Sequence, residues 1–141
     1  SEMCIRDSEH TVAEMVNAVQ QAIDYARAQG ASNVTTWGYS SGGALAALVP
    51  ADALLLTFPD FGALANLPED LRAGYEIPAE LSELSPHTFV QTATEDEIAA
   101  RVCVPGAVAR DYVSTHRVST PAVARQRVRD AAGFLAGGLE K

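Results

Sequence analysis

The run Ala53-Leu54-Leu55-Leu56-Thr57-Phe58 constrains the fold more than any other stretch of the chain. It lacks the apolar–polar alternation of a half-solvated strand, so it predicts a strand buried on both faces. Such a strand belongs in a parallel sheet with helices packed over both of its sides. The segments around it alternate between helical and strand-like patterns, as that architecture requires. The expected class is therefore α/β, a parallel sheet flanked by helices. Ligands of such sheets gather at the C-terminal ends of the strands.

The individual elements follow from local signals. Val12, Met15, Val16, Val19 and Ile23 recur at three- and four-residue steps and predict a helix over 11–29. Thr11 and Glu14 have the spacing of a capping box, and Gly30 stands where a left-handed C-cap is wanted. A strand is expected over 33–38, a turn over 39–43, and a small-residue helix over 44–49 that Pro50 stops. The stretch 60–86 is mixed and punctuated by Pro68, Pro78 and Pro86, with short helices expected at 69–75 and 79–84. A third strand is expected over 87–93, a short helix over 97–102, and a weaker fourth strand over 109–113. The last helix is the best marked. Thr120 is its N-cap, Pro121 its first residue, and Gly137 with Gly138 its end; Val128, Ala131, Ala132 and Leu135 make its expected buried stripe. No internal repeat and no low-complexity linker interrupts the series.

The chain has 141 residues, the size of one domain, and is 48% hydrophobic and 20% charged, which supports a packed core. Its formal charge of −8 repels nucleic acid and anionic lipid, and neither is an expected partner. No apolar run approaches the roughly 18 residues of a membrane span, and no basic-then-apolar leader is visible. The two cysteines, Cys4 and Cys103, are far apart and carry no metal-ligand spacing; they are expected to be small apolar fillers in a reducing, cytoplasmic setting. Met3-Cys4-Ile5-Arg6-Asp7-Ser8 resembles the translated adapter scars at the ends of some metagenomic reading frames. Residues 1–8 are accordingly expected to be non-native, with the true chain beginning further upstream.

Gly38-Tyr39-Ser40-Ser41-Gly42 matches G-x-S-x-G between an apolar strand and a helix. A serine presented there sits on a sharp, strained turn. Side chains two residues before and after it are expected to collide, so both positions want glycine. Centring the pattern on Ser41 would put Tyr39 where glycine belongs, which makes Ser40 the better nucleophile.

The segment 34–47 resembles the nucleophile elbow of the α/β-hydrolase family, in which the triad runs serine, then acid, then histidine. The resemblance implies an acid at Asp96, where the strand Phe89-Val90-Gln91-Thr92-Ala93 runs into a short loop. Glu95 and Asp60, the latter also after a strand end, are the alternatives. It implies a general base at His116, between the last strand and the final helix. His10 lies near the N-terminus, and His87 opens a strand away from the active edge. The family mechanism would then have His116 deprotonate Ser40, Asp96 orient the imidazole, and the N–H of Ser41 supply half of an oxyanion hole. Tyr39 and Ser41 would flank the substrate, a small-molecule acyl compound, with neither metal nor organic cofactor.

The resemblance covers residues 11–139 and only the C-terminal part of the family's fold. It implies four further strands and the second oxyanion donor upstream, and an unpaired strand edge without them. On that reading these 141 residues alone are poorly folded or nearly inactive, while the parent product is an active hydrolase. The implied activity is a carboxylic-ester hydrolase of the esterase or dienelactone-hydrolase kind. A prolyl-oligopeptidase-type peptidase and a catalytically dead binding module are the alternatives, and the segment 60–86 is too short for a large lid.

Overall fold

A computed structural model describes residues 10–73, 75, 87–100 and 102–138. Its centre is a four-stranded sheet, β1 Thr35–Tyr39, β2 Ala53–Thr57, β3 Thr88–Ala93 and β4 Val108–Tyr112. All neighbours are parallel and the spatial order is β1-β2-β3-β4. The register aligns Tyr39 with Thr57, Thr57 with Gln91, and Ala93 with Tyr112, so the ends of the four strands face the same edge.

Helices cover both faces. Helix α1 is Val12–Ala28, α2 Ser41–Ala46, α3 Phe61–Ala65, α4 Glu69–Arg72 and α5 Pro121–Leu135. Ala46 of α2 and Phe61 of α3 pack with Leu54, Leu56 and Val90 on one side of the sheet. On the other side Ala131 and Phe134 of α5 pack with Leu55 and Phe89. Successive side chains of a strand point to opposite faces, which is why Leu54 and Leu56 meet one helical layer and Leu55 the other. Every residue of β3 is buried, as an inner strand covered twice requires.

Several expectations hold. The Thr11–Glu14 capping box forms reciprocally at the head of α1, whose buried residues are Val12 and Ile23. Gly30, at φ 100°, follows the C-cap Gln29. Thr120 accepts the N–H of Val123, and Pro121 is the first residue of α5. Among the described residues no helix is long and apolar enough to cross a membrane.

Others are corrected. Helix α2 begins at Ser41 rather than at 44 and ends at Ala46. Helix α3, unexpected from the sequence, is nucleated by Asp60, whose carboxylate accepts the N–H of Ala63. Residues 97–99 form bends instead of a helix. The Asp96 carboxylate takes the N–H groups of Ile98 and Ala99 and closes a single turn there. The expected helix at 79–84 lies outside the described residues. In α5 only Ala131 of the expected stripe is buried; Val128 and Leu135 are about half exposed, at 53% and 50%. Phe134 packs at a tilt against Phe89 with ring centroids 5.5 Å apart, and the main-chain oxygen of Arg127 accepts from Gln91. Those contacts turn the helix so that 127, 131 and 134 face the sheet. Cys103 is exposed, not a core filler; Cys4 lies outside the described residues.

A polar ladder crosses the α5 side of the sheet. Trp37 Nε1 donates to Thr57 Oγ1 at 2.9 Å, and Thr57 donates to Gln91 Oε1 at 2.6 Å. Gln91 Nε2 donates to the Tyr112 hydroxyl at 3.2 Å, and Tyr112 donates to Asp130 at 2.6 Å. One residue from each strand and one from α5 thus satisfy one another. This explains how a glutamine with no solvent exposure is accommodated in the core.

Candidate active site

Ser40 joins β1 directly to α2 and holds φ 57°, ψ −122°. A left-handed φ at a non-glycine residue is strained and persists only where the surroundings fix it. They do so here. The N–H of Ser40 donates to Thr57 O at 3.1 Å, and its carbonyl accepts from Asp60 N at 2.9 Å and Gly43 N at 3.0 Å. Phe58, across the strand ends at φ 46°, is the other non-glycine residue with positive φ among the described residues.

The turn is tight at Gly38 and Gly43 and open at Gly42. A Cβ at Gly38 would overlap the carbonyl of Gly42 and come within 2.5 Å of Gly43 N. A Cβ at Gly43 would meet Pro59 at 3.0 Å. At Gly42 it would meet nothing within 4 Å, which corrects the expectation that both flanking glycines are sterically required. The helix leaves the elbow at an angle that opens space beside Gly42 and brings Gly43 against Pro59.

His116 sits in the loop between β4 and α5, its side chain 2% exposed. The loop closes on itself through Ser114, whose hydroxyl donates to the carbonyl of Thr115 at 2.7 Å and lies 2.7 Å from the Ser119 hydroxyl. Two side chains from elsewhere hold the main chain of His116. The Tyr39 hydroxyl donates to its carbonyl at 2.6 Å, and a Glu97 carboxylate oxygen accepts its N–H at 3.1 Å. The imidazole packs against Tyr39 and Phe58, with ring centroids 5.5 and 6.3 Å away.

The imidazole bridges the other two groups. His116 Nε2 lies 2.8 Å from Ser40 Oγ, and Nδ1 lies 2.9 Å from Asp96 Oδ2. The second oxygen of Asp96 accepts from Ala99 N at 2.7 Å and Ile98 N at 2.9 Å. Burial alone would raise the Asp96 carboxyl. The hydrogen bonds from His116, Ala99 and Ile98 outweigh it and hold the group below the usual aspartate range. Asp96 is thus ionised where it faces the imidazole, the tautomer with Nδ1–H is favoured, and Nε2 is left as an acceptor for the serine hydroxyl.

Each residue singled out from the sequence can now be located. Ser40, Asp96 and His116 meet. Asp60 caps α3, and Glu95 is exposed and contributes its N–H to Ser114 O. His10 pairs with Glu14 on the surface, and His87 lies exposed at the opposite end of β3. The Tyr39 hydroxyl is committed to the His116 carbonyl, and the residue as a whole is 47% exposed. Ser41 opens α2, where the first N–H groups have no partner within the helix. Sequence reasoning missed Glu97, whose one signal is its place beside Asp96. It also missed Arg117 and Arg127, which line a cavity of about 400 Å³ next to His116. Among the described residues no three His, Cys, Asp or Glu side chains gather to hold a metal ion.

Compared with protein-family models and with curated proteins, the chain matches no family and no individual protein.

Proposed function

We propose that the chain is a serine hydrolase of the α/β-hydrolase kind that cleaves carboxylic esters through an acyl-enzyme. One observation carries the reading: the unbroken hydrogen-bonded series from Ser40 Oγ through both nitrogens of His116 to Asp96, with the serine on a strained strand-to-helix turn. Nucleophile, base and orienting carboxylate in that order are the parts of acyl transfer.

Ser40 Oγ attacks the acyl carbonyl and its proton passes to His116 Nε2. Asp96, already charged, stabilises the imidazolium and keeps Nδ1–H turned toward itself. The N–H of Ser41 faces the developing oxyanion at the head of α2. The carbon–oxygen bond to the alcohol then breaks, and the departing oxygen takes the proton from Nε2. Water repeats the sequence with His116 again as base, releasing the acid and restoring Ser40. The scheme needs no cofactor. Glu97 and Tyr39 act on the main chain of His116 and are positioning residues.

A fluorophosphonate probe tests the reading. Labelling mapped to Ser40, and lost in S40A and H116A together with 4-nitrophenyl acetate turnover, is the expected result. Labelling or turnover that survives S40A or H116A in folded protein would overturn it.

A further inference from the structure

The cavity beside His116 has a chemical character that the acyl-transfer scheme does not use. Its aromatic walls are Trp37, Tyr39 and Phe58, and its charged groups are Arg117 and Arg127. At about 400 Å³ it is within the range of small-molecule sites, roughly 300–1,000 Å³. The Arg127 guanidinium lies over the Phe58 ring, 5.4 Å from its centroid. Its Nε is buried and has no hydrogen-bond partner, although buried donors are nearly always paired. Neither arginine forms an ion pair among the described residues. Both lie near enough to act on the Tyr39 hydroxyl, as do the carboxylates of Asp96 and Glu97 in the opposite sense. Two cations without an ion-pair partner among the described residues, bordered by flat apolar rings, form a receptor for an aromatic anion.

The cavity touches His116 but not Ser40 among its lining residues. In acyl transfer the imidazole hands its proton to the departing oxygen, so the group lying against His116 is the leaving group. The geometry points to a subsite for a phenol leaving group that carries a carboxylate, held by Arg127 and Arg117 between the Trp37 and Tyr39 rings. The inference rests on the hydrolase reading for the word leaving group, but not for the anion site itself. In the step concerned the ester carbon–oxygen bond breaks, its electron pair stays on the phenol oxygen, and that oxygen takes the proton from Nε2.

Two measurements separate the claims. The first compares kcat/KM for 4-acetoxybenzoate and 4-acetoxybenzamide, which share acyl group and ring and differ in charge, each corrected for its rate with hydroxide. The acid is expected to be preferred by about tenfold or more, the worth of one charge-assisted hydrogen bond. R127Q is expected to remove most of that ratio, and R117Q, at an exposed position, part of it. The second measurement uses Trp37, the chain's only tryptophan, as a reporter. 4-Hydroxybenzoate is expected to quench its fluorescence saturably, 4-hydroxybenzamide far more weakly, and R127K and R117Q are expected to shift the benzoate curve to higher concentration.

Hydrolysis of both esters at equal corrected rates, with no discrimination in the titration, overturns the subsite and leaves the hydrolase reading intact. Discrimination in the titration without turnover of either ester keeps the anion site and overturns its assignment to a leaving group. Arginine variants that bind benzoate as the parent does overturn the assignment even if R127Q fails to fold, because R117Q reports on the same cavity.

Discussion

The hydroxyl of Tyr39 donates to the main-chain carbonyl of His116 at 2.6 Å, tying the residue before Ser40 to the residue whose imidazole meets the Ser40 hydroxyl. The two are 77 positions apart in sequence. Burial raises the Tyr39 hydroxyl above its ordinary value, with Arg127 and Arg117 opposing, so it stays a donor through the neutral range. Y39F removes the bond and keeps the ring. It is expected to cost about 1 kcal/mol in urea unfolding and a several-fold fall in kcat with little change in KM. Unchanged stability and unchanged kcat in Y39F would show that the bond does not position His116.

Asp96 should be separable from its neighbours by turnover. D96N keeps the shape but reverses the proton preference at Nδ1, and turnover is expected to fall on the order of 10⁴-fold, as it does where an aspartate orients a triad histidine. D60A should leave turnover intact and lower stability by about 1 kcal/mol, because that carboxylate caps α3. Turnover that survives D96N but not D60A would reverse the assignment.

The pH dependence of stability follows from the same carboxylate. Asp96 titrates lower in the folded chain than in the unfolded one, where about 3.9 is usual. Its contribution to stability is therefore fully present above the unfolded value and is lost as pH falls through the folded one. Urea midpoints measured from pH 5 to pH 3 should fall more steeply for the parent than for D96N. Parallel curves would mean that the carboxylate gains nothing on folding.

The three glycines around Ser40 should rank by space. G38A is expected to unfold the chain, since its methyl would occupy the Gly42 carbonyl. G43A forces Pro59 to move and is expected to cost about 1–3 kcal/mol. G42A meets nothing and replaces a flexible residue in a helix, so a gain of roughly 0.5–1 kcal/mol is expected. Thermal midpoints of the three variants check the order.

Gln91 holds the ladder together. Q91M removes the partner of Thr57, Tyr112 and the Arg127 carbonyl, all on the α5 side of the sheet. Each buried group left unpaired costs roughly 1–3 kcal/mol, so a loss of several kcal/mol is expected in denaturant unfolding. A near-neutral Q91M would show that the ladder is dispensable.

Residues 53–58, the Thr11–Glu14 box, the Thr120–Pro121 start and the turn at Ser40 were legible from sequence, because each acts through backbone groups only a few positions away. The parallel sheet followed from them, since a strand apolar on both faces has few other places to go. The family resemblance pointed to Asp96 as the acid, but the residues by themselves did not separate it from its alternatives. Asp60, Glu95 and Asp96 all follow strand ends, and only the pairing of β3 with β4 brings the 96 loop beside the 116 loop. The face of α5, the empty space at Gly42, and the meeting of Arg127 with Phe58 were hidden for the same reason. Local signals specify where helices and strands begin and end; the contacts between distant side chains arise from sheet register and the seating of helices on it, which no short stretch of chain encodes by itself.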